Sequence, residues 1–331
     1  MLQAQLPRRG FLAALTALAI CLSGSAPEAS AQAAYPTKPI KFIVPYAVGG
    51  LPDVVIRNVG LRLGERLQQP IVVENKPGAG GVAAAEALRT SPPDGYTFIF
   101  SDAAMLSIAP HIFKNLPYDA AKDFRPVSYV GRAPNFVVVS GDFPAKSFAE
   151  FVARAKEQPG TITCGSSGVG SLHHLTLELM QKSLGIKVLH VPFRGSGQSV
   201  PALLGGQITC LLASLAPLVA AVADGRVRIL AVAGTNPTSV APNVPPIGAA
   251  MNGFDSAFVL GVLARREVPD EIVNKLSSEI AIVLKEPAII NAFTKQGVEA
   301  IGGGPAEYEK ALAVDAKQMA EAIKLGNLKS E

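Results

Sequence analysis

Two short segments combine glycines with polar side chains between a strand-like run and the start of a predicted helix. Residues 43–53 contain Gly49-Gly50 and Asp53, and residues 165–171 read Gly-Ser-Ser-Gly-Val-Gly-Ser. Glycine lets the backbone turn sharply and approach a ligand closely, and free N–H groups at a helix start attract anions. Facing each other, two such segments would hold a small molecule with two anionic ends. The alternative is that both are ordinary tight strand–helix connections, because short Gly-rich motifs are weak signals.

No motif for covalent or metal chemistry is complete. A nucleophile elbow needs Gly-x-Ser-x-Gly, which neither Ser166 nor Ser167 satisfies, and the phosphate-loop motif is absent. His173 and His174 are adjacent, so on a helix they point about 100° apart and suit a shared metal poorly. We therefore expect His174 to be a packing or capping residue, and we expect no metal and no enzymatic activity.

A weaker alternative is an exported dinucleotide-dependent enzyme. Residues 78–83 match Gly-x-Gly-x-x-Ala, and Asp102 follows about 20 residues later. In that motif the strand leads directly into the glycines, whereas here residues 74–77 lie between them. We therefore expect no cofactor.

The N-terminal segment has the features of a cleavable export signal. Arg8-Arg9 precede an uncharged apolar run at 11–22, and Ala29-Ser30-Ala31 resembles a cleavage site. The segment predicts a signal peptide over residues 1–31 and a periplasmic protein, with both the general and the twin-arginine routes open. Lipidation of Cys21 is not expected, because the bulky Ile20 precedes it.

The amino-acid composition further narrows the possible classes of protein. The chain has 331 residues, a net charge of +4 and 49% hydrophobic residues, which favours a globular protein and argues against a nucleic-acid surface. The best later membrane candidate, 208–223, is too short and too interrupted to span a bilayer. Cys164 and Cys210 would be able to pair in an oxidising compartment, but we favour two small buried residues in strands.

The elements needed to position the two segments alternate along the chain. Strand-like runs at 40–44, 71–73 and 96–100 alternate with helical patterns at 53–68 and 82–90, and the pattern restarts at residue 136. This spacing predicts α/β lobes with helix-covered parallel sheets. Beyond residue 270 the chain is predicted to be mostly helical.

A series of motifs gives the mature chain a family resemblance. They are Tyr35-Pro36-Thr37-Lys38-Pro39-Ile40, Val44-Pro45-Tyr46, Gly49-Gly50 with Asp53, Val73-Glu74-Asn75-Lys76-Pro77-Gly78-Ala79-Gly80-Gly81, Pro93-Asp94-Gly95-Tyr96-Thr97, Leu116-Pro117-Tyr118-Asp119, Asp123-Phe124, Ser166-Ser167-Gly168-Val169-Gly170-Ser171 with His174, His190-Val191-Pro192-Phe193-Arg194-Gly195 and Leu204-Gly205-Gly206-Gln207. In this order they resemble the Bug family, the extracytoplasmic solute receptors of tripartite tricarboxylate transporters.

The resemblance implies a two-lobed periplasmic-binding-protein fold (type II-like) that closes on a small carboxylate, often a dicarboxylate. On this fold we place lobe 1 at 32–133 and 254–331 and lobe 2 at 134–253. The partners would be the membrane permease subunits, with no nucleic acid, and we expect a monomer. A ligand sensor for a membrane signalling partner remains an alternative.

The resemblance also implies a set of ligand-binding residues. The first wall would be Tyr46, Val48, Gly49, Gly50 and Asp53, the second Ser166, Ser167, Gly168, Phe193 and Arg194, with Ser101 and Asp102 completing the site. For Asp53 we favour a helix-start role over ligand contact. Arg194 would pair with a distal carboxylate or remain a solvated loop charge, and Phe193 would pack on the ligand or fill the core.

The sequence departs from the family at several positions that bear on ligand choice. Val48 stands where Pro is usual, and Pro52 where Thr is common. The stretch at 258–261 lacks the usual Trp, and Arg265 stands in the Ala-Arg-Arg that follows in place of Ala-Pro.

Overall fold

The computed structural model describes residues 35–238 and 241–326. The predicted signal peptide, Cys21 and the cleavage site lie outside the described residues. From Lys38 onward the chain forms one compact unit. Within the described ranges, no helix is long and apolar enough to cross a membrane.

Two mixed sheets organise this unit. The first sheet has six strands in the order β11-β4-β10-β3-β1-β2, and the second has five in the order β7-β6-β8-β5-β9. The strands are β1 Ile40–Val44, β2 Ile71–Asn75, β3 Thr97–Ser101, β4 Phe124–Pro134, β5 Phe136–Ser140, β6 Thr163–Ser166, β7 Leu189–Pro192, β8 Cys210–Ala213, β9 Val227–Val232, β10 Ala257–Arg265 and β11 Glu299–Gly303. We call the parts of the chain built on these sheets the first lobe and the second lobe.

Twelve α-helices are present in the described residues. They are α1 Leu51–Leu67, α2 Val82–Arg89, α3 Ala104–Ser107, α4 Ala109–Ile112, α5 Ala120–Asp123, α6 Phe148–Glu157, α7 Leu172–Leu184, α8 Ser196–Leu204, α9 Val219–Ala223, α10 Asp270–Val283, α11 Pro287–Lys295 and α12 Pro305–Gly326. Short 3-10 turns occupy Ala79–Gly81, Ala216–Leu218 and Gly248–Met251.

The sheets are parallel only in part. β1 pairs in parallel with β2 and β3, and β6 with β7 and β8, which are the strand–loop–helix units predicted from the sequence. The long strands β4 and β10 and the short β11 pair antiparallel and were not predicted. β4 contains Pro126, Gly131 and Pro134, which are poor local signals for a strand.

The chain passes from the first sheet to the second at Asn135 and returns at Ser256. Asn135 donates its backbone N–H to the Ser256 carbonyl over 3.0 Å, and its amide nitrogen lies 3.3 Å from the Ser256 hydroxyl. Thr176 Oγ1 lies 2.6 Å from the same hydroxyl. Because Asn135, Thr176 and Ser256 are fully buried, this polar cluster fixes both crossings against α7.

Each lobe has its own apolar core. In the first lobe a cluster around Ile99, Leu263 and Tyr308 packs between the sheet and α2 and α12, and in the second a cluster around Phe136, Leu211 and Leu218 packs against α8 and α9. The structure joins Cys164 and Cys210 as a disulfide, contrary to our preference for two unpaired thiols. The reason is register: the two residues are direct partners on the neighbouring strands β6 and β8.

Candidate functional site

The loop from β1 to α1 is held from the first lobe by Tyr46. The Tyr46 hydroxyl donates to the carboxylate of Asp102, at 2.8 Å from Oδ2 and 3.0 Å from Oδ1. Asp102 also accepts from the Ser101 hydroxyl at 3.2 Å and from the Ala104 N–H at 3.3 Å. Burial raises the pKa of both Tyr46 and Asp102. Ser101 and Asp102 therefore position Tyr46 from within the lobe.

Asp53 fixes the tip of the same loop. Its carboxylate accepts hydrogen bonds from the Gly49 N–H, the Arg57 guanidinium and the Asn75 amide, each at 2.9 Å. Burial opposes the charged carboxylate, but the hydrogen bonds from Arg57, Gly49 and Asn75 outweigh it and lower the pKa of Asp53. Gly49 has a φ of +80°, which a residue with a side chain adopts only with strain. Asp53 thus orders the helix start.

The second loop, between β6 and α7, is held by two serine–histidine pairs. Ser166 Oγ lies 2.6 Å from His190 Nε2 and accepts from the Gly168 N–H at 3.0 Å. Ser167 Oγ lies 2.6 Å from Nδ1 of His173. Helix α7 then begins at Ser171, whose hydroxyl accepts from the His174 N–H at 3.2 Å. The residue types of the Gly/Ser run therefore serve mainly to shape the loop.

Three histidines contact this loop: His173, His174 and His190. His174 stacks on His190, with ring centroids 4.6 Å apart and planes at 15°. Burial lowers the pKa of His173 to about 3, and burial together with the nearby His174 lowers the pKa of His190 to about 4. Burial also lowers the pKa of His174. All three rings are therefore neutral near pH 7.

The loop from β1 to α1 touches the second lobe directly, at the segment that joins β7 to α8. The Ala47 N–H donates to the Arg194 carbonyl over 3.0 Å. A Cβ added to Gly195 would lie 3.0 Å from the Ala47 nitrogen, and one added to Gly197 would overlap the Val48 carbonyl. The lobes are therefore in contact at the start of α8, and only glycine fits at these positions.

Two neighbouring cavities lie along this contact. The outer cavity measures ≈ 520 Å³ and is lined by both lobes, including Tyr46, Phe113, Ser167, Arg194 and Gln198. The inner cavity has room for about one water-sized group. Its lining residues are Tyr46, Gly50, Leu51, Pro52, Ser167, His173, Ser196 and Phe258. Tyr46 and Ser167 line both cavities.

The inner cavity meets the first residues of three helices. Leu51 and Pro52 begin α1, His173 is the second residue of α7, and Ser196 is the first residue of α8. Unpaired N–H groups and the positive ends of helix dipoles make such positions favourable for an anion. Their convergence on one space favours a negatively charged or strongly hydrogen-bond-accepting ligand.

The predicted site residues divide into two groups. Those that line the outer or the inner cavity are Tyr46, Gly50, Ser167, Gly168, Phe193 and Arg194. Those that instead position the loops are Val48, Gly49, Asp53, Ser101, Asp102 and Ser166. The Val48 side chain is 63% exposed and contributes through its carbonyl, which packs on Gly197.

Sequence reasoning missed several lining residues. Ser196 and Gln198 come shortly after Phe193 and Arg194 of the predicted second wall. Their position just beyond Gly195 could have identified them as lining residues. Phe113 and Phe258 reach the cleft from distant parts of the chain and carry no local signal. Of the family departures, Pro52 and Phe258 line the inner cavity, whereas Arg265 bonds Ser91 and Glu267 elsewhere on the first lobe.

A larger groove of ≈ 850 Å³ lies elsewhere, beside β11 and α11. It contains the Arg132–Asp255 ion pair but no helix start. Among the residues that the structure describes, no group of three or more His, Cys, Asp or Glu is arranged to hold a metal ion. The cleft between the loops is therefore the strongest candidate site.

Comparison with known proteins gives a consistent result. Residues 55–328 match the family described as tripartite tricarboxylate transporter family receptor. The chain is 30% identical over 315 residues to the protein BugT of Bordetella pertussis, covering 95% of this chain and 96% of that protein.

Solved structures show the same architecture. The R. palustris protein Rpa4515 with adipate has a TM-score of 0.85 and 28% identity, covering 90% of this chain and 100% of that one. MatC from Rhodopseudomonas palustris with bound malate has a TM-score of 0.78 and 28% identity, covering 89% of this chain and 99% of that one. Adipate and malate are both small dicarboxylates.

Proposed function

Because the chain belongs to the tripartite tricarboxylate transporter receptor family, a family of periplasmic solute-binding proteins, we propose that it captures a small carboxylate between its lobes and delivers it to a membrane transporter. The family is one of receptors and not of enzymes. Adipate and malate in two similar structures support a dicarboxylate as the ligand class.

The observation that carries the proposal is the convergence of three helix starts on the inner cavity. The ≈ 520 Å³ outer cavity falls in the size range of small-molecule sites and leaves room for the rest of a short carboxylate. Arg194 lines the outer cavity with an exposed side chain, where its guanidinium would pair with a second carboxylate. Ligand capture needs no large net charge, because backbone N–H groups supply the donors.

We propose that capture proceeds by closure of the lobes about the two chain crossings. Asn135 and Ser256 lie between the sheets, at the ends of β4 and β10, so rotation about these two points would move the loops apart. On this proposal the lobes comprise 32–133 with 254–331, and 134–253.

We also propose that residues 1–31 are removed when the protein is exported to the periplasm. An N-terminus at Gln32 in the exported protein would test that step.

Gly197→Ala tests closure directly. The added methyl would overlap the Val48 carbonyl of the other lobe, while alanine is well tolerated in a helix. Calorimetric titration with succinate, malate and adipate should show wild-type binding of at least one, with affinity reduced roughly tenfold or more in the variant, about 1.4 kcal/mol per factor of ten.

Gly304→Ala is the matched control, because it places a methyl on the first lobe at an ordinary van der Waals distance, 3.9 Å from the Ser277 hydroxyl. It should bind like the wild type. Wild-type binding of a neutral solute and of none of the carboxylates would overturn the ligand class. Unchanged affinity in Gly197→Ala would overturn the closure mechanism.

A further inference from the structure

His173 has one ring nitrogen engaged and one without a partner. Its side chain is only 2% exposed, and Nδ1 lies 2.6 Å from the Ser167 hydroxyl. Its Nε2 is fully buried and has no hydrogen-bond partner among the described residues. A buried polar atom left unpaired is destabilising, so a native structure that retains one has a reason to do so.

The position of the ring points to that reason. His173 lines the inner cavity, where Leu51, Pro52 and the Phe258 ring form apolar walls. Phe258 meets the imidazole edge-on, with ring centroids 5.1 Å apart and planes at 75°. With Nδ1 occupied by Ser167, Nε2 is the ring atom available to whatever enters this cavity.

The charge state of the ring is also fixed by its surroundings. Burial lowers the pKa of His173 to about 3, so the neutral ring carries a single N–H near pH 7. When the Ser167 hydroxyl donates to Nδ1, that proton must sit on Nε2. The Ser196 hydroxyl lies 3.5 Å from Ser167 Oγ. It is placed to donate a hydrogen bond to that oxygen, which still acts as an acceptor.

We infer that His173 is a specificity-determining residue whose neutral Nε2–H donates to one terminal oxygen of the bound solute, in the orientation set by Ser167. The inference rests on the proposed function and adds to it. Because the inner cavity admits only about one water-sized group, it accepts a single carboxylate oxygen with the remainder of the ligand in the outer cavity. An ammonium group, which has no acceptor, is rejected there.

The test compares His173→Gln with His173→Leu. A glutamine amide can place an N–H near the position of Nε2, whereas leucine cannot donate. With adipate, malate and succinate as probes, His173→Leu should bind about 10–100-fold more weakly than the wild type, and His173→Gln within about threefold, as expected for one hydrogen bond to a charged group. Equal affinity of His173→Leu and wild type, or equal loss in both variants, would overturn the inference.

His111→Leu is the matched control, since His111 is exposed on α4 and lines neither cavity. It should leave the affinity unchanged. A purely structural role for His173 would not move the imidazole nitrogen resonances of the wild type on ligand addition, whereas a new hydrogen bond at Nε2 should shift that nitrogen specifically.

The same nitrogen spectrum separates this inference from the proposed function. Before any ligand is added, His173 should be the tautomer protonated on Nε2, and the tautomer protonated on Nδ1 would overturn the inference whatever the protein binds. If the wild type binds only an uncharged solute, the carboxylate proposal fails, and the Gln–Leu comparison on that solute still decides the role of His173.

Discussion

The two lobes bury opposite kinds of titratable group. In the first lobe, Asp102 and Asp315 are buried carboxyl groups whose pKa values are raised, that of Asp315 to about 6. In the second lobe, His173 and His190 are buried imidazoles whose pKa values are lowered to about 3 and about 4. In every case burial is the largest cause, and it disfavours the charged form.

The difference teaches that these two sets of buried groups respond to acid in opposite senses. A carboxyl group with a raised pKa becomes less costly to bury as the pH falls. A histidine with a lowered pKa becomes more costly, because the unfolded chain gains a proton that the folded lobe refuses. Near pH 7 the rings of His173 and His190 are neutral, so on the second-lobe side these groups offer hydrogen bonds and no charge.

The largest effect on stability should come from the disulfide, a covalent bond that only the second lobe has. The Cys164–Cys210 disulfide spans 46 residues of sequence, and closing a loop of that size stabilises a fold by about 4 kcal/mol in the chain-entropy model. Reduction should therefore lower the thermal midpoint and speed hydrogen exchange in the second lobe before the first.

The double variant Cys164→Ala/Cys210→Ala is the control, and reductant should not change its midpoint. Peptide mapping under non-reducing conditions should recover the two cysteines in one cross-linked species. Recovery of both as free thiols would remove this contrast between the lobes.

The second largest effect is a loss of stability at low pH that comes from the second lobe. The pKa of His173 falls from its ordinary 6.5 to about 3 on folding, so its contribution is intact above pH 6.5 and stability is lost as the pH drops below that value. At about 1.4 kcal/mol per pKa unit, the wild type should lose about 3 kcal/mol from this group between pH 7.5 and 4.5, and His173→Leu should not. Urea unfolding at both pH values measures the difference. Parallel losses in His173→Leu and in the control His111→Leu would show that His173 is not the source.

A smaller effect of opposite sign is expected in the first lobe. The pKa of Asp315 rises to about 6 mainly through burial, while Ser107 lowers it and Asp102 raises it. Its contribution is therefore full below the ordinary value of 3.8 and is lost as the pH rises through about 6. The pKa shift of Asp315 corresponds to about 3 kcal/mol at pH 7.5, and the neutral amide of Asp315→Asn loses part of this through a weaker hydrogen bond with Ser107. The variant should therefore be more stable by about 2 kcal/mol at pH 7.5 and by almost nothing at pH 4. A variant that is less stable than the wild type at pH 7.5 would contradict this assignment.

The smallest effect concerns the contact between Tyr46 and Asp102. Tyr46→Phe removes the donor to both carboxylate oxygens but leaves those from Ser101 and Ala104. The loss should be about 1 kcal/mol, because Asp102 can respond by holding a proton. A double-mutant cycle with Asp102→Asn measures the coupling, and additive losses would mean that the two groups are independent.

The sequence predicted those parts of the fold whose signals are local. The turn from β1 into α1 was recognised because glycines and Asp53 mark a helix start, and the segment at 165–171 was placed directly before a helix. β4 and β10 were missed because their strand character comes from pairing with each other, residue 134 opposite residue 257, far apart in sequence. Local composition carries little information about such pairing.

The candidate site shows the same limit. The loops and several of their lining residues followed from motif and resemblance, whereas the role of His173 depends on which ring nitrogen is covered. That is decided by Ser167 on one side and by Phe258, from a distant strand, on the other. Spacing along α7 showed only that His173 and His174 point in different directions.

The hydrogen bond from the Ala47 N–H to the Arg194 carbonyl has a consequence for how such receptors diverge. Both of its atoms belong to the main chain, so replacing either side chain leaves donor and acceptor in place, and only proline at position 47 deletes the donor. Apart from Gly195 and Gly197, the residues around it are then free to change over generations while the contact between the lobes persists. Substitutions in the walls of the site can therefore change which nutrient is bound while this main-chain contact between the lobes is kept.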